Sequence, residues 1–283
     1  MSALPHPIVH HPFSYNVGPL ELTGFGIAIL MCFVVGQYVA QQEVARRGGD
    51  PEPVVDMTLA ALVGGLLGAK LYYVVVLRHW DSLFDRGGFV YWGGFVGGAL
   101  GVIAVVMKKR FGFWRMAEAS APALAAAYAV GRTGCWAIGD DYGRPWDGPL
   151  AVAFPEGAPP STAGVMARDF GVPIPAGTSP SAVLSVYPTQ LLEVILGLAM
   201  FAILWRSRWH RRAEGWLFGL YLVLAGVERF AVEFMRAKDD RLLGGLTYAQ
   251  LIALGMMALG GGIMLTRSRS EAGAAASAQS SAL

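Results

Sequence analysis

Seven stretches of about 20 predominantly apolar residues, the length that crosses a bilayer, recur along this 283-residue chain. They fall at 20–40, 56–77, 90–107, 117–137, 188–205, 214–235 and 246–266. In lipid no water satisfies a backbone N–H or C=O, so each stretch is expected to be a helix that bonds its own backbone. Composition agrees: 54% of residues are apolar and only 15% are charged, against about 25% in ordinary soluble proteins. The expected fold is an all-α integral membrane protein with about seven transmembrane helices. The third stretch is short, and its many glycines point to close packing against neighbouring helices.

Lysine and arginine in the loops set the orientation. Twelve lie on one side: Arg46, Arg47, Lys108, Lys109, Arg110, Arg115, Arg206, Arg208, Arg211, Arg212, Arg267 and Arg269. Seven lie on the other, spread over a greater length: Arg78, Arg86, Arg144, Arg168, Arg236, Lys238 and Arg241. The richer side is expected to be cytoplasmic, which puts the N-terminus outside and the C-terminus inside. Residues 1–266 then form the membrane domain. The long segment 138–186 forms a head on the outer, periplasmic face, being too rich in Trp, Phe and Val for a plain linker. Residues 267–283 read as a disordered cytoplasmic tail.

Several function classes drop out early. A net charge of +2 without a basic stripe argues against nucleic acid. Residues 1–22 carry no Lys or Arg and no small-residue cleavage site, so they do not read as a signal peptide. His6, His10 and His11 lack accompanying ligands at metal-site spacing. Cys32 and Cys135 both lie in apolar stretches and suggest no disulfide framework.

What remains is a set of charges at membrane depth, where ionisable groups are costly and are functional by default. Lys70, Arg132 and Arg229 lie inside the spans, and Glu118, Glu193, Glu228 and Glu233 are near them. The run VGRTGCWAIGDDYG places Asp140 and Asp141 within three turns of Arg132. Arg229, Glu233 and Arg236 follow at spacings of four and three, which predicts one shared helix face. In YPTQLLE, Pro188 suits a first helical turn, and Gln190 and Glu193 share a face. In WGGFVGGALG, Gly93, Gly97 and Gly101 form a small-residue face open to helix packing or to a lipid chain, with Gly94 beside it. A cation at such depth most plausibly meets an anion, and a lipid phosphate is the most abundant one there.

These motifs together resemble the prolipoprotein diacylglyceryl transferase family over about residues 20–266. GRTGCWAIGDDYG is similar to the family's signature, with Arg132 on its arginine, Asp140 on its acid and Gly143 closing it. GAKLYYV resembles its helix-two motif, with Lys70 in place of arginine. YPTQLLE and GVERFAVEFMRAKD resemble two further motifs and place Gln190, Glu193, Arg229, Glu233 and Arg236. The resemblance implies transfer of the diacylglyceryl group of phosphatidylglycerol to the lipobox cysteine thiol of preprolipoproteins in the bacterial inner membrane. A thioether forms and glycerol 1-phosphate leaves. It implies the bilayer, phosphatidylglycerol and preprolipoprotein signal peptides as partners, and no metal or organic cofactor. Arg132 and Arg229 are then expected to meet the developing phosphate charge. Lys70 and Arg236 are further candidates for the same site, Glu193 and Glu233 hold the arginines, and Gln190 bonds a headgroup or the outer loop.

The chain departs from the pattern at Trp92 and Tyr187, where the family has histidines, at Ala225, where it has tyrosine, and at Cys135. Phosphate handling is retained while the usual proton acceptors are absent. Asp140, Asp141, Glu118, Tyr142 and Tyr187 remain as acceptors for the thiol proton, or nearby cations ionise the thiol directly. Two other readings stay open: a paralogue that binds phospholipid or lipoprotein without transfer, and a seven-helix transporter or photoreceptor using Lys70.

Overall fold

The computed structural model describes residues 8–18, 20–78, 80–84, 90–237 and 245–268. His6, Arg86, Lys238, Arg241 and 269–283 of the expected tail lie outside the described residues. The chain divides into two compact units, Phe33–Ala123 and the pair Met1–Cys32 with Leu124–Leu283.

Seven of the described helices are 18 residues or longer: α1 (Gly24–Arg46), α2 (Pro53–Leu77), α3 (Tyr91–Lys108), α4 (Phe113–Ile138), α6 (Thr189–Ser207), α7 (Trp216–Glu233) and α8 (Tyr248–Thr266). Four segments are both long and apolar enough to cross a membrane: Gly24–Arg46, Pro53–Val76, Thr189–Ser207 and Tyr248–Thr266. Trp92–Lys108 is apolar but shorter. The protein is thus a mostly helical membrane protein. Local chemistry sets the ends: Pro53 opens α2 without losing a bond, and Thr247 and Gln250 cap α8 reciprocally.

In the unit Phe33–Ala123, α2 and α3 meet through glycine. A Cβ added to Gly93 would collide with the carbonyl of Gly68, and one on Gly97 with that of Gly64. Gly94 sits over the Ala69 methyl. The small-residue face of α3 is therefore filled by a neighbouring helix. One end of the unit is tied by charge: buried Glu43 accepts from Arg46 and Arg47, and Arg47 reaches buried Glu118 at 3.1 Å.

In the other unit, α7 packs on α8 in the same way, with Gly219 against Gly260. The segment between α4 and α6 is folded rather than extended. Strand β4 (Val152–Ala153) pairs antiparallel with β5 (Ser185–Val186) and parallel with the N-terminal β1 (Ile8–Val9). A second ribbon joins β2 (Ser14–Val17) to β3 (Leu20–Thr23). The described residues thus add five short strands to a mostly helical chain, and β1, β4 and β5 join segments far apart in sequence, which apolar periodicity does not report. Short α5 (Ala163–Phe170) starts at Thr162, whose side chain accepts from Val165 N, and stops at Gly171 with φ +68°. Phe154, Met166 and Val186 form the core of this segment, with Tyr142 stacked on Phe154 at 5.3 Å.

The structure also corrects the end of α7. The shared face predicted for Arg229, Glu233 and Arg236 breaks because the helix stops at Glu233. The backbone tightens into i→i+3 bonds, and Arg144 N takes the Met235 carbonyl at 2.8 Å. Arg236 then bridges to Gly143 in extended form. Similarly, Pro188 stands just before α6 as its N-cap rather than inside its first turn.

Candidate active site

Helix α4 presents Tyr128, Arg132 and Cys135 at spacings of four and three, hence on one face. It ends at Ile138, and Gly139 (φ +72°) begins a reversal that Asp141 (φ +55°) completes. Both are left-handed, a conformation glycine adopts freely and aspartate tolerates better than most residues. The reversal brings the Asp141 carboxylate back over the helix end.

There the chain closes a ring of four charges. Asp141 Oδ2 accepts from Arg132 Nη1 at 2.8 Å, and its Oδ1 accepts from Arg236 Nη2. Arg132 donates through Nε to Glu193 Oε2 at 2.8 Å, and Nη2 reaches the same oxygen. Arg236 Nη1 completes the ring 3.8 Å from Glu193 Oε1. Glu193 is 1% exposed and Asp141 38%, so the ring runs from buried protein towards the surface. Two arginines and two carboxylates make it neutral overall.

Backbone contacts hold the ring together. Thr189 Oγ1 donates to the Asp141 carbonyl at 2.7 Å, and Gln190 Nε2 donates to the Asp140 carbonyl. Of the two partners expected for Gln190, the loop takes its amide nitrogen. Its Oε1 is buried without a hydrogen-bond partner among the described residues. Gly143 N donates to the Tyr187 carbonyl at 2.8 Å, and an added Cβ would lie 2.7 Å from the Tyr187 Cβ. Gly143 is thus the crossing point of three chain segments.

Arg229 is arranged differently. Its Nη2 lies 2.7 Å from Glu233 Oε2, one turn on. Its Nη1 is buried without a hydrogen-bond partner among the described residues, while a third of the side chain is exposed. Arg132 has every guanidinium nitrogen engaged by protein, whereas Arg229 among the described residues has Nη2 alone engaged. Lys70 belongs to the unit Phe33–Ala123, buried on α2 with its ammonium 5.5 Å from the Tyr73 ring centroid.

The two adjacent aspartates differ sharply. Burial pushes the Asp141 carboxyl up, but Arg236 and Arg132 together outweigh it and hold it at about 2. Asp140, beyond the end of α4, is pushed up to about 6 by burial and then by the Asp141 charge. Its Oδ1 is buried and has no hydrogen-bond partner among the described residues. Neighbouring carboxylates driven apart in this way are how one site holds both a permanent anion and a proton acceptor. Donor atoms of Cys135, Asp140 and Asp141 gather within 4.8 Å, as a metal site would require. Both Asp141 oxygens already face arginines, whose charge opposes a cation, so the set fits a metal poorly.

The sequence profile of the prolipoprotein diacylglyceryl transferase family matches residues 12–266. The chain belongs to that family. Relatives named phosphatidylglycerol–prolipoprotein diacylglyceryl transferase include that of Solidesulfovibrio magneticus, 32% identical over 268 residues, covering 88% of this chain and 91% of the relative. That of Clostridium tetani is 28% identical over 256 residues, covering 88% and 94%. That of Geobacter sulfurreducens is 29% identical over 276 residues, covering 93% and 97%. Membership in this transferase family takes the place of the transporter and photoreceptor readings.

Against this family background the proton-acceptor candidates separate by place. Glu118 pairs with Arg47 near the opposite end of α4 from Arg132. Tyr142 donates its hydroxyl to the Pro159 carbonyl at 2.8 Å, and burial raises its pKa. The Tyr187 ring stacks on Trp146 at 4.3 Å. Asp141 is held by two arginines, while Asp140 has a buried oxygen without a hydrogen-bond partner among the described residues. Trp92 is half-exposed at the start of α3, edge-on to Phe95. Among the histidines, His10 packs on Trp136 and Phe154, and His11 pairs with Glu156 at 3.2 Å.

Sequence reasoning missed Tyr128. Its hydroxyl donates to Glu228 Oε1 on α7 at 2.9 Å, and its ring lies 5.8 Å below the Arg132 guanidinium. The signal was available: Tyr128 stands four residues before Arg132, the spacing that places a ring beneath a guanidinium on a helix.

Proposed function

We propose that this chain transfers the diacylglyceryl group of phosphatidylglycerol to the lipobox cysteine thiol of preprolipoproteins in the bacterial inner membrane. Family membership across residues 12–266 carries this reading. Seven helices span the bilayer, the N-terminus and the segment 138–186 face the periplasm, and the C-terminal tail from 267 is cytoplasmic. The loop arginines and lysines support that orientation.

In the reaction the substrate thiol gives its proton to Asp140, and the thiolate attacks the glycerol carbon that bears the phosphate. A C–S bond forms as the C–O bond breaks. Glycerol 1-phosphate leaves with the bonding pair on its oxygen. Arg229, a third of whose side chain is exposed, meets that charge. Arg132 and Arg236 act one step back: they fix Asp141, and so the turn that carries Asp140. Gln190 steadies the same turn through the Asp140 carbonyl, and Glu233 orients Arg229. Lys70 and the glycines at 93, 94 and 97 contribute through the unit they belong to, the glycines as the seam between α2 and α3.

The primary test is complementation of a strain depleted of its own diacylglyceryl transferase. Rescue, with thioether-linked lipid on a reporter lipoprotein, is expected. A properly inserted chain that fails to rescue ends the transferase assignment.

Asp140 makes a pH-dependent prediction. As proton acceptor it works only when ionised, so kcat/KM should rise through pH about 6 and level off above it. Asp140→Asn should lower the plateau and abolish the rise. The linked effect on stability has the opposite sense. The folded value lies above the ordinary 3.8, so stability is full below about pH 4 and falls as pH rises through about 6. A flat rate profile in the wild-type chain removes Asp140 from the proton step.

Trp92→His restores the residue found at this place in the family pattern. With Asp140 as acceptor it should change the rate by only a few-fold. Activity that appears in Trp92→His alone would mean that the natural chain has lost the proton step.

A further inference from the structure

At the far end of α6 from Gln190 and Glu193, the turn into α7 gathers a second set of polar groups that the reaction does not use. Arg206, Arg208, Arg211 and Arg212 fall within seven residues, interleaved with Trp205 and Trp209 and followed by Trp216. The Arg208 guanidinium lies 3.4 Å from the centroid of the Trp205 ring and 5.3 Å from that of Trp209. Arg212 lies 4.0 Å from that of Trp216, whose ring also meets His210 edge-on. A cavity of about 400 Å³ opens here, lined by Phe201, Ala202, Trp205, Arg206, Arg208 and Trp209. A second, of about 450 Å³, continues past Arg211 and Arg212 to Trp216.

Position narrows what fits. Thr189–Ser207 is long and apolar enough to cross a membrane, at about 28 Å for 19 residues. Its C-terminal turn therefore sits at headgroup level, where indoles anchor and arginine side chains reach phosphate. Arg206 and Arg212 are both exposed. The Arg208 and Arg212 guanidiniums sit over indole rings, which holds them in place, and the planar fork of an exposed arginine suits phosphate oxygens. Phe201 and Ala202 offer an apolar floor for the start of an acyl chain.

We infer that this turn is a binding site for the headgroup of an anionic phospholipid, separate from the site at Arg132 and Arg229. The phosphodiester lies against the exposed Arg206 and Arg212, and the upper acyl chain runs down α6 over Phe201 and Ala202. Occupancy would anchor the start of α7, the helix that carries Arg229, at a fixed depth in the bilayer. The inference does not depend on the transferase reading, because it uses neither the reacting groups nor the substrate headgroup.

The test uses the full chain in phosphatidylcholine nanodiscs doped with a phosphatidylserine whose acyl chains are brominated near the glycerol. Bromine quenches tryptophan on contact, and brominated phosphatidylcholine serves as the neutral reference. The anionic lipid should quench more than the neutral one, and salt should weaken the excess. Arg206→Gln with Arg212→Gln should lower the apparent affinity for it by about tenfold or more, as expected for two interfacial cations. Arg206→Lys with Arg212→Lys keeps the charge, so it should keep most of the preference and show that loss in the glutamine pair is not misfolding. Diacylglyceryl transfer in the glutamine pair should persist, since neither residue touches the reacting groups. Equal quenching by both lipids overturns the site, as does a preference that the glutamine pair retains. Binding of a soluble oligoglutamate peptide through the same arginines, without any preference for the anionic lipid, would reassign the turn to an acidic protein partner.

Discussion

Arg229→Ala should reduce diacylglyceryl transfer by about 10²–10³-fold while leaving the chain folded and inserted. Among the described residues Arg229 has one ion-pair partner, Glu233, a third of its side chain exposed, and one enclosed nitrogen with no hydrogen-bond partner. Removing it therefore takes away the charge meant for the leaving phosphate and, among the described residues, breaks one ion pair. Arg229→Lys keeps the charge but not the planar fork, and should recover only part of the rate. Single-turnover measurements with phosphatidylglycerol and a lipobox peptide check this, since the loss belongs in the chemical step. A loss confined to KM would make Arg229 a ground-state binder, and an undiminished rate would remove it from the site.

Glu193→Ala should act in another way, by loosening the structure. Glu193 is 1% exposed and faces both Arg132 and Arg236, so its removal strands two buried guanidiniums on one remaining acid. Breaking a buried ion pair from one side costs about 3–5 kcal/mol. The thermal unfolding midpoint in detergent should fall, and protease should cut the segment 139–188 faster, because the ring ties that segment to α6 and α7. Glu193→Ala combined with Arg132→Met should regain part of the midpoint, since fewer charges are then left unmatched. Transfer should be lost in both variants, for want of a fixed Asp140. An unchanged midpoint in the single variant would show that the ring does not hold the segment.

The contrast between these two variants changes the meaning of the arginines. Read along the chain, Arg132 and Arg229 look equivalent: each lies at membrane depth in a family motif with acids nearby. In the folded protein Arg132 is saturated by Glu193, Asp141 and Cys135, whereas Arg229 is not. Arg236, expected on the face of Arg229, leaves the helix and joins the Arg132 ring instead. The adjacent aspartates divide in the same manner, one held by two arginines and the other left with a buried oxygen that has no hydrogen-bond partner among the described residues.

What the sequence determined by itself is the set of long helices, the membrane environment and the four motifs that mark the family. Apolar length and motif spacing are local properties, and lipid enforces them strictly because an unbonded backbone has no water to turn to. The glycine periodicity of α3 announced close approach, though not that α2 was the helix approaching. Only the tertiary structure decided which charges neutralise one another. The Arg132–Glu193 and Arg236–Asp141 contacts join residues 61 and 95 positions apart. A guanidinium's availability depends on the number of carboxylates that surround it in space, and neighbours along the chain do not report that number. The pairing of β4 with β1 and β5 was beyond sequence reading for the same reason: it joins backbone from distant parts of the chain, and no pattern of its own announces it.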